Sequence, residues 1–195
     1  MKDRRFYTEA NRQAWNTAVR VHQGHRGDSL ARKFSRPGFS TLDEVFTAKL
    51  REIGIADKHL AHLCCNNGIE LLSLLNLGAV RGVGFDIADE AIAEARKLAN
   101  IAGRPAEFVR TDIYDIEPVY DGHFDLALFT IGGLCWLPDL PAALRRAERL
   151  LRPGGHLVIY ELHPFTMMLA LPSEPAFQDD WLIEYSYFAT EPLMN

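Results

Sequence analysis

The feature that most limits what this chain can fold into is an alternation that begins at His59. Short, largely apolar runs at 59–64, 80–85, 106–110, 124–130 and 156–162 take turns with longer stretches whose apolar residues recur at helical spacing. In the first of these stretches Ile69, Leu71, Leu72, Leu74, Leu75 and Leu77 stop at Gly78; in the second Ala91, Ile92, Ala95, Leu98, Ala99 and Ala102 stop at Gly103. Glycine just past the last periodic residue is the usual left-handed end of a helix. In the third, Leu140, Leu144, Ala147 and Leu151 share one face, opened by Pro138 and closed by Pro153-Gly154-Gly155. The run 124–130, apolar on both faces, suits a central parallel strand covered from both sides. Strand and helix alternating over short loops, joined by right-handed crossovers, predict an α/β fold: a doubly wound, mostly parallel sheet with helices on both faces.

Either side of this core, residues 58–164, the pattern changes. Residues 1–57 carry scattered aromatics and two helical segments, near 8–20 and 42–53, the second preceded by Ser40 or Thr41 as cap. They are expected to form an N-terminal helical cap or lid. The locally basic stretch 20–36 reads as a solvated helix or loop. Residues 165–195 are expected to extend the substrate side, with helical character at 165–171. The stretch 181–190 is β-rich, holding Trp181, Ile183, Tyr185, Tyr187 and Phe188.

Charge and cysteine usage narrow the partners. With 21 basic against 26 acidic residues the net charge is −5, and no basic tract dense enough to neutralise a row of phosphates stands out, so nucleic acid is not expected. Three cysteines, two of them adjacent (Cys64, Cys65) and the third at Cys135, make no disulfide framework and lack zinc-ligand spacing. No metal is expected. No signal-peptide pattern and no apolar stretch of roughly 18 residues occurs, so the expectation is a cytoplasmic protein that does not enter a membrane.

Ligands of an open α/β sheet sit beyond the C-terminal ends of its strands. Three polar signals fall at such ends: the turn Cys64-Cys65-Asn66-Asn67-Gly68, then Asp86, then Asp112. An acidic residue about 20 positions past a glycine turn suits a ribose, because one carboxylate can accept from two adjacent hydroxyls. A dinucleotide's pyrophosphate needs glycines in that first turn, yet Cys64 and Asn66 stand where two would be. The ligand is therefore read as a nucleoside without phosphates. Asp86 and Asp112 could also be helix caps, and Cys64 and Cys65 small buried residues rather than nucleophiles. Trp136 is either a wall of the substrate pocket or core, Trp15 either a lid contact or a staple. His163 is either a general base or a turn histidine.

These stretches together resemble the class I, Rossmann-like, S-adenosylmethionine-dependent methyltransferases over roughly residues 57–164. The turn at 60–68 takes the place of that family's first motif. Gly84-Phe85-Asp86-Ile87 matches the second, and Val109-Arg110-Thr111-Asp112-Ile113 the third. Phe124-Asp125-Leu126-Ala127 matches the fourth strand, and 150–157 the turn before the fifth. The resemblance implies S-adenosyl-L-methionine as cofactor and S-adenosyl-L-homocysteine as product. It implies that Cys64, Cys65, Asn66 and Gly68 line the methionine part and that Asp86 holds the ribose hydroxyls, with Ile87 against the adenine. Asp112 would accept from the adenine amino group beside Ile113, and Thr130, Ile131 and Gly132 would border the sulfonium.

The chain departs from the family where His62 replaces an acidic residue: either another acid, such as Glu70 or Asp125, compensates, or affinity is lower. Thr130-Ile131-Gly132-Gly133 also stands where enzymes acting on bases or glutamine amides carry an Asn/Asp-Pro-Pro-aromatic stretch. The expected function is methyl transfer to an O, N or C nucleophile of a small molecule, with Trp15, Trp136 and His163 on the substrate side and no catalytic residue assigned. A nicotinamide-dependent oxidoreductase and a non-catalytic nucleoside-binding or dimerisation module are the alternatives. The family's sheet ordinarily ends in two further strands, so the C-terminal strands are expected to be missing or truncated. The sheet edge left behind would favour a homo-oligomer.

Overall fold

A carboxylate side chain opens helices at two points where the sequence suggested another residue. The computed structural model describes residues 3–169, 183 and 185–188. Arg4–Arg26 forms α1, Ser29–Phe34 α2 and Glu44–Ile53 α3. The Asp43 carboxylate accepts the Phe46 N–H and opens α3, in place of the Ser40 or Thr41 cap expected. Thr41 instead donates its backbone N–H to the Ser73 hydroxyl oxygen at 2.9 Å. Helix α1 is longer than the expected 8–20; its added turns, Phe6, Tyr7 and Val21 included, are mostly exposed, and only Thr8 and Val19 are buried along it. A helix without a wide apolar stripe leaves little periodicity to read.

The sheet has five strands: β1 His59–Leu63, β2 Arg81–Asp86, β3 Ala106–Arg110, β4 Phe124–Phe129 and β5 Leu151–Ile159. Their order is β3-β2-β1-β4-β5, and every neighbouring pair is parallel. Helices α4 (Ile69–Asn76) and α5 (Asp89–Ala102) pack with α2 and α3 on one face, around Leu60, Leu71, Leu74, Ile92, Leu126 and Leu128. The other face is covered by α6 (Leu140–Leu150) and the turns after β3, around Leu63, Phe85, Ile113, Phe129 and Ala147. Helix α1 lies on α5, where Val19 meets Ala88 and Ala91.

Two boundaries around α6 differ from the sequence reading. The helix opens at Asp139, whose carboxylate accepts the Ala142 N–H, so Pro138 precedes the cap and Pro141 is the first-turn proline. The expected turn Pro153-Gly154-Gly155 does not separate α6 from its strand, because β5 already begins at Leu151. Phe124 pairs with Leu151 and Leu126 with His156, so Asp125 alone faces the four residues 152–155. The chain loops out within the pairing, with Gly154 at φ +80° and Gly155 so close to the Asp125 carbonyl that a Cβ would sit at 3.0 Å from it. Glycine permits both. The strand also ends earlier than the expected 162.

The chain divides into two units, 1–160 and 161–195. Of the second, Pro164–Met168 forms a single 3₁₀ turn where helical character was expected over 165–171. Leu169 and Ile183 make one antiparallel bridge. Trp181 lies outside the described residues, while Tyr187 and Phe188 sit in a turn rather than a strand. Among the described residues, no helix is long and apolar enough to cross a membrane.

Candidate cofactor site

From β1 the chain runs outward to β2 and β3, then returns past β1 to β4 and β5. Strands β1 and β4 therefore flank the switch point of the sheet, where the crossovers diverge and leave a crevice. A cavity of about 340 Å³ opens there.

Its floor is the turn after β1. Cys64 and Asn66 hold φ of +53° and +48°, the left-handed backbone that the glycines of such a turn would supply. The turn is stitched to the end of β2: the Cys65 N–H donates to the Phe85 carbonyl at 3.0 Å, and the Asn66 N–H donates to Asp86 Oδ2 at 2.7 Å. The other Asp86 oxygen accepts the Ala88 N–H at 2.9 Å. Burial pushes the Asp86 carboxyl above the ordinary carboxylate range, against the pull of the Ala88, Asn66 and Ile87 N–H groups. The carboxylate borders the cavity and keeps acceptor capacity toward it, as a ribose hydroxyl requires.

Ile87, Asp112, Ile113, Thr130, Ile131 and Gly132 join Cys64, Cys65, Asn66 and Asp86 in the wall. Asp112 Oδ1 accepts the Tyr114 N–H at 3.2 Å, capping a 3₁₀ turn, and Oδ2 takes no hydrogen bond among the described residues. Cap and wall residue are the same side chain here. Gly68, expected in the lining, is not among the wall residues. Its φ is +74°, and a Cβ there would run into the Phe108 ring, so it lets α4 approach the sheet.

The roof comes from α1. Thr8, Asn11 and Trp15, one helical face by spacing, border the cavity. Trp15 meets Trp136 edge to face at 5.4 Å, and the Asn11 amide donates to the Trp136 carbonyl at 2.8 Å. A polar ladder fastens α1 to α5: Arg12 and Asn16 donate to Asp89 at 2.7 and 3.0 Å, and Arg20 reaches Glu90 at 2.6 Å. The sequence reading found Trp15 and Trp136 but missed Thr8 and Asn11, although their spacing from Trp15 was a usable signal.

His62 is fully buried and stays out of the wall. Its Nε2 lies 2.8 Å from the Thr130 hydroxyl, and Nδ1 has no partner among the described residues. Burial lowers the imidazole to about 4, so it is neutral near pH 7. Of the two acids expected to compensate for it, Asp125 points away: it accepts the His59 N–H at 2.8 Å and pairs with Arg152, at the opposite end of the sheet. Glu70, in the first turn of α4, borders the cavity, and burial raises its carboxyl. Asn67 beside it is 3% exposed. His163 belongs to the second unit, where its Nδ1 accepts the Phe165 N–H at 3.1 Å, and it is not among the cavity residues.

A methyltransferase domain family matches residues 61–159, from the middle of β1 to the end of β5. The chain belongs to that methyltransferase family. A 2-phytyl-1,4-naphtoquinone methyltransferase of Synechococcus elongatus is 32% identical over 129 residues, covering 62% of this chain and 53% of the relative. An S-adenosylmethionine-dependent methyltransferase structure from Mesorhizobium loti superposes with a TM-score of 0.53 at 25% identity, over 63% of this chain and 56% of that one. A methyltransferase structure from Methanococcus maripaludis, 17% identical, shares the fold with a TM-score of 0.59 over 75% and 63%. The chain spans about half the length of the curated relatives it matches first.

S-adenosyl-L-methionine is the cofactor of this methyltransferase domain, and the residues present fit it. Side chains at Cys64 and Asn66 fill the turn where a pyrophosphate would need bare backbone, which also sets aside the nicotinamide alternative. Asp86 offers acceptors for a ribose. A buried Asn67 amide nitrogen without a partner among the described residues lies in the same wall.

Proposed function

We propose that this methyltransferase domain transfers a methyl group from S-adenosyl-L-methionine to an O, N or C nucleophile of a small, largely apolar molecule. The observation that carries this is Asp86, both oxygens anchored by backbone N–H groups, facing a cavity whose first turn carries Cys64 and Asn66 where a pyrophosphate-binding turn has glycines. Bound there, the cofactor supplies an electrophilic methyl group. The chain's part is to hold and align: Asp86 on the ribose, Ile87, Asp112 and Ile113 around the adenine, Thr130 to Gly132 beside the sulfur. Alignment of the two reactants is enough to account for a large share of such a rate enhancement. Trp15 and Trp136 supply an apolar surface for the acceptor, which the Synechococcus relative, a methyltransferase named for a phytyl naphthoquinone, favours. The net charge of −5 argues against nucleic acid, and the cysteines suit the cytoplasm. Leu157 and Ile159, exposed on β5 at the sheet's edge, suit association with a second copy.

The test is calorimetric titration with S-adenosyl-L-homocysteine. Binding is expected in the wild-type protein, with a loss of about tenfold or more in folded Asp86→Asn, since each charge-assisted hydrogen bond to the ribose contributes about 1.5–3 kcal/mol. Unchanged affinity in that variant removes Asp86 from the site; no binding to the wild-type protein removes the proposal.

A further inference from the structure

Two groups at the start of α4 have chemistry that the fold itself leaves unanswered. Glu70 borders the cavity, its carboxylate accepts its own backbone N–H but has no hydrogen bond or ion pair with another described residue, and burial raises it. The cationic side chain in the same wall, Arg26, is committed to Glu94 at 3.4 Å. A carboxylate in a closing cavity with no cation beside it is unfavourable until a cation arrives. Three residues earlier, Asn67 is 3% exposed and its amide nitrogen is buried with no partner among the described residues. It is a donor that lacks an acceptor. His62 cannot answer for either, because it is neutral and out of the wall.

An unmet anion and an unmet donor, set three residues apart in one wall, complement a zwitterion. Resting on the cofactor reading above, the geometry points to Glu70 and Asn67 as the pair that reads the amino-acid end of the cofactor: Glu70 accepts from the α-ammonium and Asn67 donates to the α-carboxylate. The position of Asn67 just before α4 adds the positive end of that helix to the carboxylate side. Asp86 and Asp112 both accept N–H groups of other residues at the ends of other strands, which leaves Glu70 as the carboxylate in the wall bonded to no residue but itself among those described. The site would then prefer nucleosides that keep the amino acid over those that have lost it.

Two ligands separate this assignment from the reading on which it rests. S-adenosyl-L-homocysteine and 5′-deoxy-5′-methylthioadenosine share adenine, ribose and thioether; the second lacks the ammonium and carboxylate. Calorimetric titration of the wild-type protein, Glu70→Gln and Asn67→Ala with each is the experiment, with circular dichroism to confirm that the variants are folded. Each variant is expected to lose about tenfold or more in affinity for the homocysteine compound and to bind the methylthio compound within about twofold of wild type. Asn67→Asp, which sets a negative charge against the carboxylate, is expected to lose more than Asn67→Ala. Equal losses for both nucleosides, or no loss for either, overturn the assignment while leaving the cofactor reading intact. A wild-type protein that binds neither nucleoside overturns both.

Discussion

Acid should weaken this fold through His62, and the size of the effect follows from its burial. The imidazole is held near 4 in the folded chain against an ordinary value of 6.5, because burial penalises its charged form. A group depressed in the folded state gives stability that is present above its unfolded value and lost as pH falls toward its folded value. Stability should therefore fall from about pH 6.5 downward, by about 1.4 kcal/mol per pH unit, to a total loss of roughly 3 kcal/mol near pH 4. Asp86 and Glu70, raised by burial, work in the opposite direction, while Asp43, Asp89 and Asp121, lowered by hydrogen-bonding partners, work in the same one. A difference measurement removes all of them. Urea denaturation of the wild-type protein and His62→Gln across about pH 4.5–7.5 should show two curves that converge as pH falls, because only the wild type carries the imidazole. Replacing His62 lowers stability at neutral pH, since its Nε2 partner Thr130 loses a fitted hydrogen bond. The test lies in the slope. A constant offset between the two curves at every pH would refute the claim that His62 is buried and neutral.

Two further outcomes follow from local geometry. Cys64 sits at φ +53°, so Cys64→Gly should leave the melting temperature nearly unchanged, while Cys64→Val, β-branched in the left-handed region, should lower stability by about 1–2 kcal/mol in a thermal melt. Asp89 receives Arg12 and Asn16 from α1, so Asp89→Ala should speed limited proteolysis within residues 4–26 by a few-fold, and salt at about 0.5 M should do the same to the wild type. Equal cleavage in all three conditions would mean that apolar contacts at Val19 hold the helix.

How much of this was legible in the residues divides along a physical line. Apolar runs and helical spacing report whether a residue is buried, and that is local information. It was enough to locate all five strands and the helices between them, to expect parallel pairing, and to place Asp86 and Asp112 at strand ends around what is one cavity. The Cys64 and Asn66 substitutions in the first turn were equally readable, because a missing glycine is visible without coordinates. What was not legible depended on neighbours distant in sequence. Asp125 and Glu70 looked equivalent as acids that could stand in at His62. The pairing of β1 with β4 turns one toward Arg152 at the far end of the sheet, and the α4 turn leaves the other at the cavity. Gly68 looked like lining until the Phe108 ring stood against it. The span of α1 and its place over the site were hidden because the helix is held by ion pairs and hydrogen bonds to α5, which leave no periodic apolar signature. The loop-out inside β5 was hidden because Pro-Gly-Gly announces a turn but not which strand residues pair on either side of it. Burial is written along the chain; the identity of the atom across a cavity is settled only when strands far apart in sequence pack side by side.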